Sequence, residues 1–224
     1  MGGQAQGQQP VADLLPSPSS QEPGAKSSEP ATRDSKLGIM PNRLTVEDPM
    51  SHPPPLTAKQ KFGAALGNTF DPVEFLIVGV VAATGQARNQ PQEWGQGWNA
   101  YPKRYAASFA DQADFNMMVE AVLPSLLKDD PRYYRMAQGG FFKRTGYAVT
   151  RILVTRTDSG HKTFNFPEIA GAGISSGISN AYYPSDERTL SKNFSRWGLL
   201  LGEDAALNVF KEFWPDIRHG IFKK

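Results

Sequence analysis

Residues 170–181 read Ala-Gly-Ala-Gly-Ile-Ser-Ser-Gly-Ile-Ser-Asn-Ala. Residues four apart lie on one face of an α-helix, and two ladders of small residues run through this stretch: Gly171/Ser175/Ser179 and Gly173/Gly177/Ala181. Each glycine costs an exposed helix about 1 kcal/mol relative to alanine. Close packing against another helix is the expected compensation. We therefore predict a helix that packs through a glycine zipper formed by these ladders.

The expected limits of this helix follow from its flanks. Pro167 and Glu168 are typical of a first helical turn, and Pro184 ends the pattern. Fifteen uncharged residues separate Glu168 from Pro184. At 1.5 Å per residue they extend about 22 Å, whereas the hydrocarbon core of a bilayer measures about 30 Å. The segment is too short to span a membrane alone.

Two helix starts lie further toward the N-terminus. Thr57 and Gln60 form a capping box after three prolines, in which each side chain accepts from the other's backbone. Asp71-Pro72 is a second start signal, followed by nine apolar residues at 75–83. Nine residues are far fewer than the roughly 20 that cross a bilayer. We interpret residues 75–83 as a buried core helix rather than a membrane insertion.

The rest of the chain alternates between helical patterns and turn signals. A long helix begins near Tyr101, with a kink expected at Pro124, and Asp129-Asp130-Pro131 ends it. Apolar residues from Phe141 repeat at helical spacing, although β-branched residues at 149–155 leave a strand open as an alternative. Residues 157–160 are typical of a turn, and 163–166 of a short extended piece. A final helix from Leu190 should break at Trp214-Pro215.

Composition divides the chain at about residue 56. Residues 1–56 hold ten of the 18 prolines and none of the 24 Phe, Trp and Tyr residues. Such a segment cannot bury enough apolar surface to offset its chain entropy. We predict a disordered Pro/Gln/Ser-rich tail over 1–56 and a single helical domain over 57–224. The expected fold is mainly α, a compact bundle of five or six helices with Gly/Ala/Ser-ladder packing and at most a short β-hairpin.

Charge and cysteine content exclude several classes. Four basic and six acidic residues lie in 1–56, which leaves twenty basic and sixteen acidic residues in 57–224. An excess of this size does not favour nucleic acid as a partner. The chain has no cysteine, which excludes disulfides, cysteine nucleophiles and Cys-ligated zinc. The first residues of the chain as given have no basic or apolar region of a signal peptide.

The main polar cluster predicts a candidate binding site. It consists of two arginines and a tyrosine in close succession, followed by a third arginine: Arg132, Tyr133, Arg135 and Arg144. Guanidinium groups form bidentate hydrogen bonds with phosphate or carboxylate. The alternative is structural, in which the arginines pair with nearby aspartates or with helix carbonyls while the tyrosines pack. The sequence favours the structural alternative.

Other polar groups do not form a recognisable reaction centre. His161 and Asp158 lie near each other in a polar turn, without a nucleophile elbow or oxyanion-hole glycines. Asp216 and His219 provide two ligands where a metal site takes at least three. We therefore predict no catalytic residue, no metal and no cofactor. Trp94 and Trp98 are interpreted as buried anchors of a loop, with a ligand pocket or an interfacial belt as alternatives.

Several segments together resemble a known family. They are residues 96–98, 101–106, 127–135, 144–148 and 155–160. These segments are similar to uncharacterised, exported envelope proteins of soil bacteria, and the resemblance covers most of residues 57–220. It implies a location in the bacterial envelope, periplasmic or membrane-associated. It implies no activity, cofactor or catalytic residue.

Three functions follow as expectations. The first is a non-enzymatic structural or interaction protein of the bacterial envelope, associated with a membrane surface, an envelope protein partner or further copies of itself. The second is an anion-binding or hydrolytic module centred on Arg132, Arg135 and Arg144. The third is a helical bundle that binds a lipid or another small ligand in a cavity lined by aromatic side chains.

Overall fold

The computed structural model describes residues 1–3 and 44–222, with side chains to His219. The chain divides into two units, residues 1–31 and 32–224. In the first unit only residues 1–3 are described, and they have no regular secondary structure. All of the helices and strands belong to the second unit.

The second unit is mainly α. Its helices are α1 (Ala58–Thr69), α2 (Pro72–Ala87), α3 (Ala100–Asn116), α4 (Leu123–Leu127), α5 (Phe141–Thr150), α6 (Phe166–Ile178) and α7 (Leu190–Phe222). Its strands are β1 (Thr45–Val46), β2 (Asp129–Asp130), β3 (Tyr133–Tyr134), β4 (Val154–Thr157) and β5 (Lys162–Phe164). The predicted mainly helical bundle is thus confirmed.

Helices α3 and α4 form one central rod, joined by a π-helical turn at Met117–Val122. No residue from 107 to 125 is exposed, because α1, α2, α6 and α7 surround the rod. Leu123 donates its N–H to the Met118 carbonyl, five residues back, and Pro124 has no N–H to donate. The helix therefore widens where a kink at Pro124 was expected.

The expected helix starts are confirmed in detail. Thr57 donates its backbone N–H to Gln60 Oε1 at 2.9 Å, and Gln60 returns its own to Thr57 Oγ1 at 3.3 Å. Asp71 accepts from the Val73 N–H at 2.9 Å. Helix α6 begins one residue before Pro167, and Asn165 caps it by accepting from the Glu168 N–H at 3.3 Å.

The strands make two small sheets. Strand β1 pairs in parallel with β3, Thr45 opposite Tyr133. Strands β2, β4 and β5 form an antiparallel sheet in the order β2-β4-β5, with Thr155 opposite Thr163 in the hairpin. The strand alternative near residue 154 and the turn at 157–160 are both realised.

The predicted boundary of the tail at residue 56 is too late. Leu44 is buried, and strand β1 pairs with β3 within the segment expected to be disordered. Backbone hydrogen bonds and one buried leucine hold this stretch in place without any aromatic residue. Most of the predicted tail, residues 4–43, lies outside the described residues.

The expected break at Pro215 does not occur. Helix α7 continues through it to Phe222. A proline inside a helix frees carbonyls in the preceding turn. Here the Glu212 carbonyl accepts from Arg135 Nη2 at 2.8 Å and from Arg144 Nη2 at 2.7 Å. The Glu212 carbonyl, three residues before Pro215, therefore has two guanidinium donors from outside the helix.

Candidate functional site

The outward surface of α1 and α2 is apolar. Every exposed residue from 62 to 83 is apolar: Phe62, Gly63, Leu66, Phe70, Pro72, Phe75, Leu76, Val80 and Ala83. Asn68, Thr69 and Glu74 in the same stretch are buried. The interpretation of 75–83 as a buried core helix is therefore wrong for half its surface, since Leu76 and Val80 are 71% and 67% exposed.

Helices α6 and α7 likewise have apolar residues on the exposed side and polar residues on the buried side. The exposed residues from 166 to 181 are again all apolar: Phe166, Gly173, Ile174, Gly177, Ile178 and Ala181. Glu168, Ser175, Ser176 and Ser179 are buried. From residue 193 to 210 of α7 no charged residue is exposed and Ser195 is the one exposed polar residue, whereas Arg196 and Asn208 are buried. A water-exposed helix normally has the opposite arrangement.

The two predicted ladders of α6 therefore have different environments. A Cβ on Gly171 would lie 2.8 Å from Val119 Cγ2, so this glycine does allow close approach to the central rod. A Cβ on Gly177 would meet nothing within 4 Å, and one on Gly173 only the Trp197 ring nitrogen at 3.9 Å. Gly171 thus packs closely against the rod. Gly173, Gly177 and Ala181 face outward, because the ridge they share with Ile174 and Ile178 is the exposed apolar face.

Trp94 and Trp98 also differ from each other. Trp98 is 96% exposed, which contradicts its interpretation as a buried anchor. Trp94 stacks on Tyr183 with ring centroids 5.4 Å apart. The loop is held by Arg104, which donates to the carbonyls of Pro91 and Gly95. With this cation beneath the loop, Trp98 is not needed as its anchor.

No single helix in the described part of the chain is both long enough and apolar enough to cross a bilayer. Helices α1 and α2 satisfy that length and composition test only when taken together, as a pair bent by 54°.

The predicted arginine cluster is divided between two carboxylates. Arg132 lies beside Asp130, with Nε at 2.8 Å and Nη2 at 2.8 Å from its oxygens. Arg144 donates Nε to Glu212 Oε1 at 2.9 Å, and Arg135 contacts the carbonyl of the same residue. These guanidinium groups already have protein acceptors, as the structural alternative expects.

Glu212 organises three of the four predicted residues. It is fully buried and accepts from the Tyr133 hydroxyl at 2.8 Å, from Arg144, and from the backbone N–H groups of Met136 and Ala137 at 2.9 Å. Sequence analysis missed this residue. The available signal was a lone carboxylate in an aromatic-rich stretch just before a proline.

A second buried carboxylate is Asp111 on the central rod. It accepts from the hydroxyls of Ser179, Tyr182 and Tyr183 at 2.5, 2.7 and 2.7 Å. Burial raises the pKa of Asp111, and these hydrogen bonds oppose the rise. The serine ladder of α6 thus meets an acceptor inside the bundle.

Two polar cavities lie beside the central rod, and Glu120 and Asp204 line both. The smaller, about 30 Å³, is also lined by Asn68, Glu74 and Glu203. Burial raises the pKa of Glu74 to about 8 and that of Glu203 to about 7. Carboxyl groups in this cavity therefore hold protons near neutral pH.

The larger cavity, about 60 Å³, extends from the rod to the hairpin. Glu168 and Lys211 line its inner part, while Arg132, Arg151 and Arg156 are contributed by the strand region. Glu168 Oε1 and Arg151 Nε are both buried without a hydrogen-bond partner among the described residues. Arg151 and Glu168 were not singled out from the sequence as binding residues.

The remaining polar candidates are engaged locally. His161 is exposed and its Nδ1 lies 3.1 Å from Ser159 Oγ, while Asp158 pairs with Lys61 at 2.9 Å. Asp216 pairs with Arg144, and His219 contacts the Pro215 carbonyl of its own helix. Across residues 1–3 and 44–222, no three His, Cys, Asp or Glu side chains come together as metal ligands.

The chain was compared with protein family models, with curated proteins and with solved structures. No family model matches it, and no significant similarity is found to a curated protein or a solved structure. The function is therefore inferred from the contacts, the burial and the cavities of this structure.

Proposed function

We propose that this chain is a non-enzymatic, membrane-associated protein of the bacterial envelope. In this proposal the outward faces of α1, α2, α6 and α7 contact the lipids of a bilayer. The observation that carries the proposal is the complete absence of polar side chains among the exposed residues of 62–83 and 166–181. Apolar surfaces of this extent are typical of sites that bind a membrane or a partner.

Lipid is favoured over a single protein partner as the occupant. A protein interface usually has one apolar centre with a polar rim, whereas here apolar residues dominate the exposed faces of four helices whose buried sides include polar and charged residues. The exposed Trp98 lies between α2 and α3, and tryptophan is enriched at membrane–water interfaces. The resemblance to exported envelope proteins agrees with this location.

The other two expected functions have less support. Anion binding at Arg132, Arg135 and Arg144 would compete with the acceptors already in place. A cavity for a lipid tail lined by aromatic rings would need far more space than about 60 Å³, because this volume holds only about four to six water-sized groups at 10–15 Å³ each.

Vesicle flotation of the purified full chain tests the proposal. We expect the wild-type protein to float with vesicles of phosphatidylethanolamine and phosphatidylglycerol. Leu76→Glu/Val80→Glu should lose at least tenfold in partitioning, because charge is excluded from the apolar interface. The matched control is Leu126→Glu/Leu127→Glu, at positions 72% and 45% exposed on α4, outside the four helices of the proposal, and it should float like wild type.

Two results would contradict the proposal. One is a monomeric wild-type protein that stays in the dense fraction at every lipid concentration. The other is concentration-dependent association without lipid and without flotation, which would identify the apolar faces as a contact between copies of the chain.

A further inference from the structure

The larger cavity contains an unsatisfied donor and an unsatisfied acceptor of opposite charge. Arg151 Nε and Glu168 Oε1 are both buried without partners in the described chain, and Glu168 is only 3% exposed. An unpaired buried group costs about 1–3 kcal/mol, and more when it is charged. One occupant that both accepts and donates hydrogen bonds would remove both costs.

The two groups are held near each other by one side chain. The carboxamide of Asn165 donates to the Arg151 carbonyl at 3.0 Å and accepts from the Glu168 N–H at 3.3 Å. This bridge joins the turn after α5 to the first turn of α6. Both residues are therefore fixed relative to the same wall of the cavity.

Two guanidinium groups at the cavity differ from those of the predicted cluster. Arg151 lies over the Tyr147 ring at 4.4 Å and Arg156 over the Tyr134 ring at 4.1 Å. Neither makes an ion pair with a carboxylate in the part of the chain that the structure describes, unlike Arg132 and Arg144. Stacking on an aromatic ring leaves the edge donors of a guanidinium available for an anion.

The tyrosines beneath these arginines are themselves fixed. Tyr134 donates its hydroxyl to Asp130 at 2.6 Å, and Tyr147 donates to the Tyr134 carbonyl at 2.7 Å. The two rings thus form a rigid base for Arg151 and Arg156. A pre-positioned pair of guanidinium groups suits a phosphate, which accepts several hydrogen bonds at once.

The α6 and α7 side of the cavity contains more acidic than basic groups. Glu168, Asp204 and Lys211 line it there together with Glu120 of the rod, whereas Asp129 and Asp130 lie on the strand side with the arginines, Asp130 paired with Arg132. Lys211 lies 3.3 Å from Asn208 Oδ1 and 3.8 Å from Asp204. Three carboxyl groups with one ammonium group leave room for a second cation, and Glu168 is the member with a free oxygen.

We propose that this cavity binds a small zwitterion with a phosphate and a primary amine, the chemistry of an ethanolamine phospholipid headgroup. Arg151 and Arg156 hold the phosphate, and Glu168 accepts from the ammonium. The assignment rests on the proposed membrane association for its lipid source. A volume of about 60 Å³ accommodates about four to six waters at 10–15 Å³ each, the scale of a compact headgroup and too small for an acyl chain.

Ligand binding is coupled to the loss of a proton from the Glu168 carboxyl group. Burial raises the pKa of Glu168 well above its usual range, with repulsion from Asp204 and Glu120 adding to the rise and Lys211 opposing it. This shift of the pKa favours the neutral carboxyl over the carboxylate. A bound ammonium favours the carboxylate, so one proton leaves Glu168 for solvent as the ligand binds.

Calorimetric titration of the full chain in mild detergent tests the site with phosphoethanolamine, inorganic phosphate and ethanolamine. We expect phosphoethanolamine to bind at least tenfold more tightly than either half alone. Its observed heat should vary with the ionisation enthalpy of the buffer, because a proton is released. Dihexanoyl phosphatidylethanolamine should bind at least as tightly if the source is a lipid, and more weakly if it is a free phosphorylated amine.

Variants separate the two halves of the site. Glu168→Gln keeps shape and neutral charge, and should weaken phosphoethanolamine binding at least tenfold while leaving phosphate binding unchanged. Arg151→Met/Arg156→Met should weaken both ligands at least tenfold. Arg88→Met replaces an exposed arginine outside the cavity and should change neither.

Three results would overturn the assignment. They are the absence of heat with phosphoethanolamine, equal affinity for phosphate and phosphoethanolamine, and unchanged binding by Glu168→Gln. Leu76→Glu/Val80→Glu should still bind soluble phosphoethanolamine. A wild type that binds it without floating on vesicles refutes only the membrane proposal, and a wild type that floats without binding it refutes only the site.

Discussion

Two buried glutamates, Glu212 and Glu168, occupy the interior in contrasting ways. Glu212 is fully buried and accepts from a tyrosine, an arginine and two backbone N–H groups. Glu168 is almost as deeply buried, yet one of its oxygens has no partner among the described residues. A satisfied network stabilises a fold, whereas an unsatisfied group in a cavity requires an occupant or a proton. The contrast separates a structural centre from a binding site.

Removal of Glu212 should have the largest effect. Glu212→Ala leaves the Tyr133 hydroxyl without its acceptor and removes one of the two carboxylates paired with Arg144, and loss of one partner of a buried ion pair costs about 3–5 kcal/mol. Chemical denaturation should show this loss in the free energy of unfolding. The control Glu93→Ala removes an exposed carboxylate with one bond to Ser185 at 3.2 Å and should cost less than about 0.5 kcal/mol. A similar, small loss in both variants would refute the structural role of Glu212.

Substitutions of the α6 glycines should have the next largest effect on stability. Gly171 packs close to Val119, which lines the same cavity as Glu168. Gly171→Ala places a methyl group 2.8 Å from Val119 Cγ2, and overpacking of this kind costs about 1–3 kcal/mol. Gly177→Ala meets open space and should stabilise by up to about 1 kcal/mol through helix propensity. Thermal unfolding in one detergent should give shifts of opposite sign. Shifts of the same sign would mean that the two ladders have equivalent surroundings.

The smallest expected effect is a pH dependence from the unpaired carboxyls. Burial raises the pKa of Glu74 to about 8 and that of Glu168 well above its usual range. A raised folded-state pKa gives stability that is complete below the ordinary pKa near 4.5 and is lost as pH rises through the folded value. We expect the melting temperature to fall from pH 5 to pH 8.5, and Glu168→Gln to make that fall smaller. An equal slope in wild type and Glu168→Gln would show that Glu168 titrates alike in both states.

The sequence predicted the helical fold but placed some of its faces wrongly. Local signals such as the Thr57 box and the Asp71 cap act within a few residues, so they could be recognised directly. Periodicity identifies one apolar face on a helix but does not say whether that face points toward the core. The stretch 75–83 was assigned to the interior because buried helices are common in water, whereas its neighbours on the inner side include Asn68 and Glu120.

The candidate site could be predicted only in part. Arg135 and Arg144 were recognised because they lie close together in sequence among tyrosines. Their acceptor Glu212 follows Arg144 by 68 residues, and no local pattern connects them. Arg151 and Glu168 were not selected because their significance depends on missing partners, which only the packed structure reveals.

The position of Glu212 near the end of the chain has a consequence for the order of folding. Tyr133 and Arg135 contact Glu212 across separations of 79 and 77 residues. At synthesis rates of about 5–20 residues per second, such a separation corresponds to roughly 4–16 seconds of translation. During that interval the middle of the chain has two guanidinium groups and a hydroxyl but lacks their common acceptor. Completion of this part of the molecule must therefore wait until residue 212 has left the ribosome.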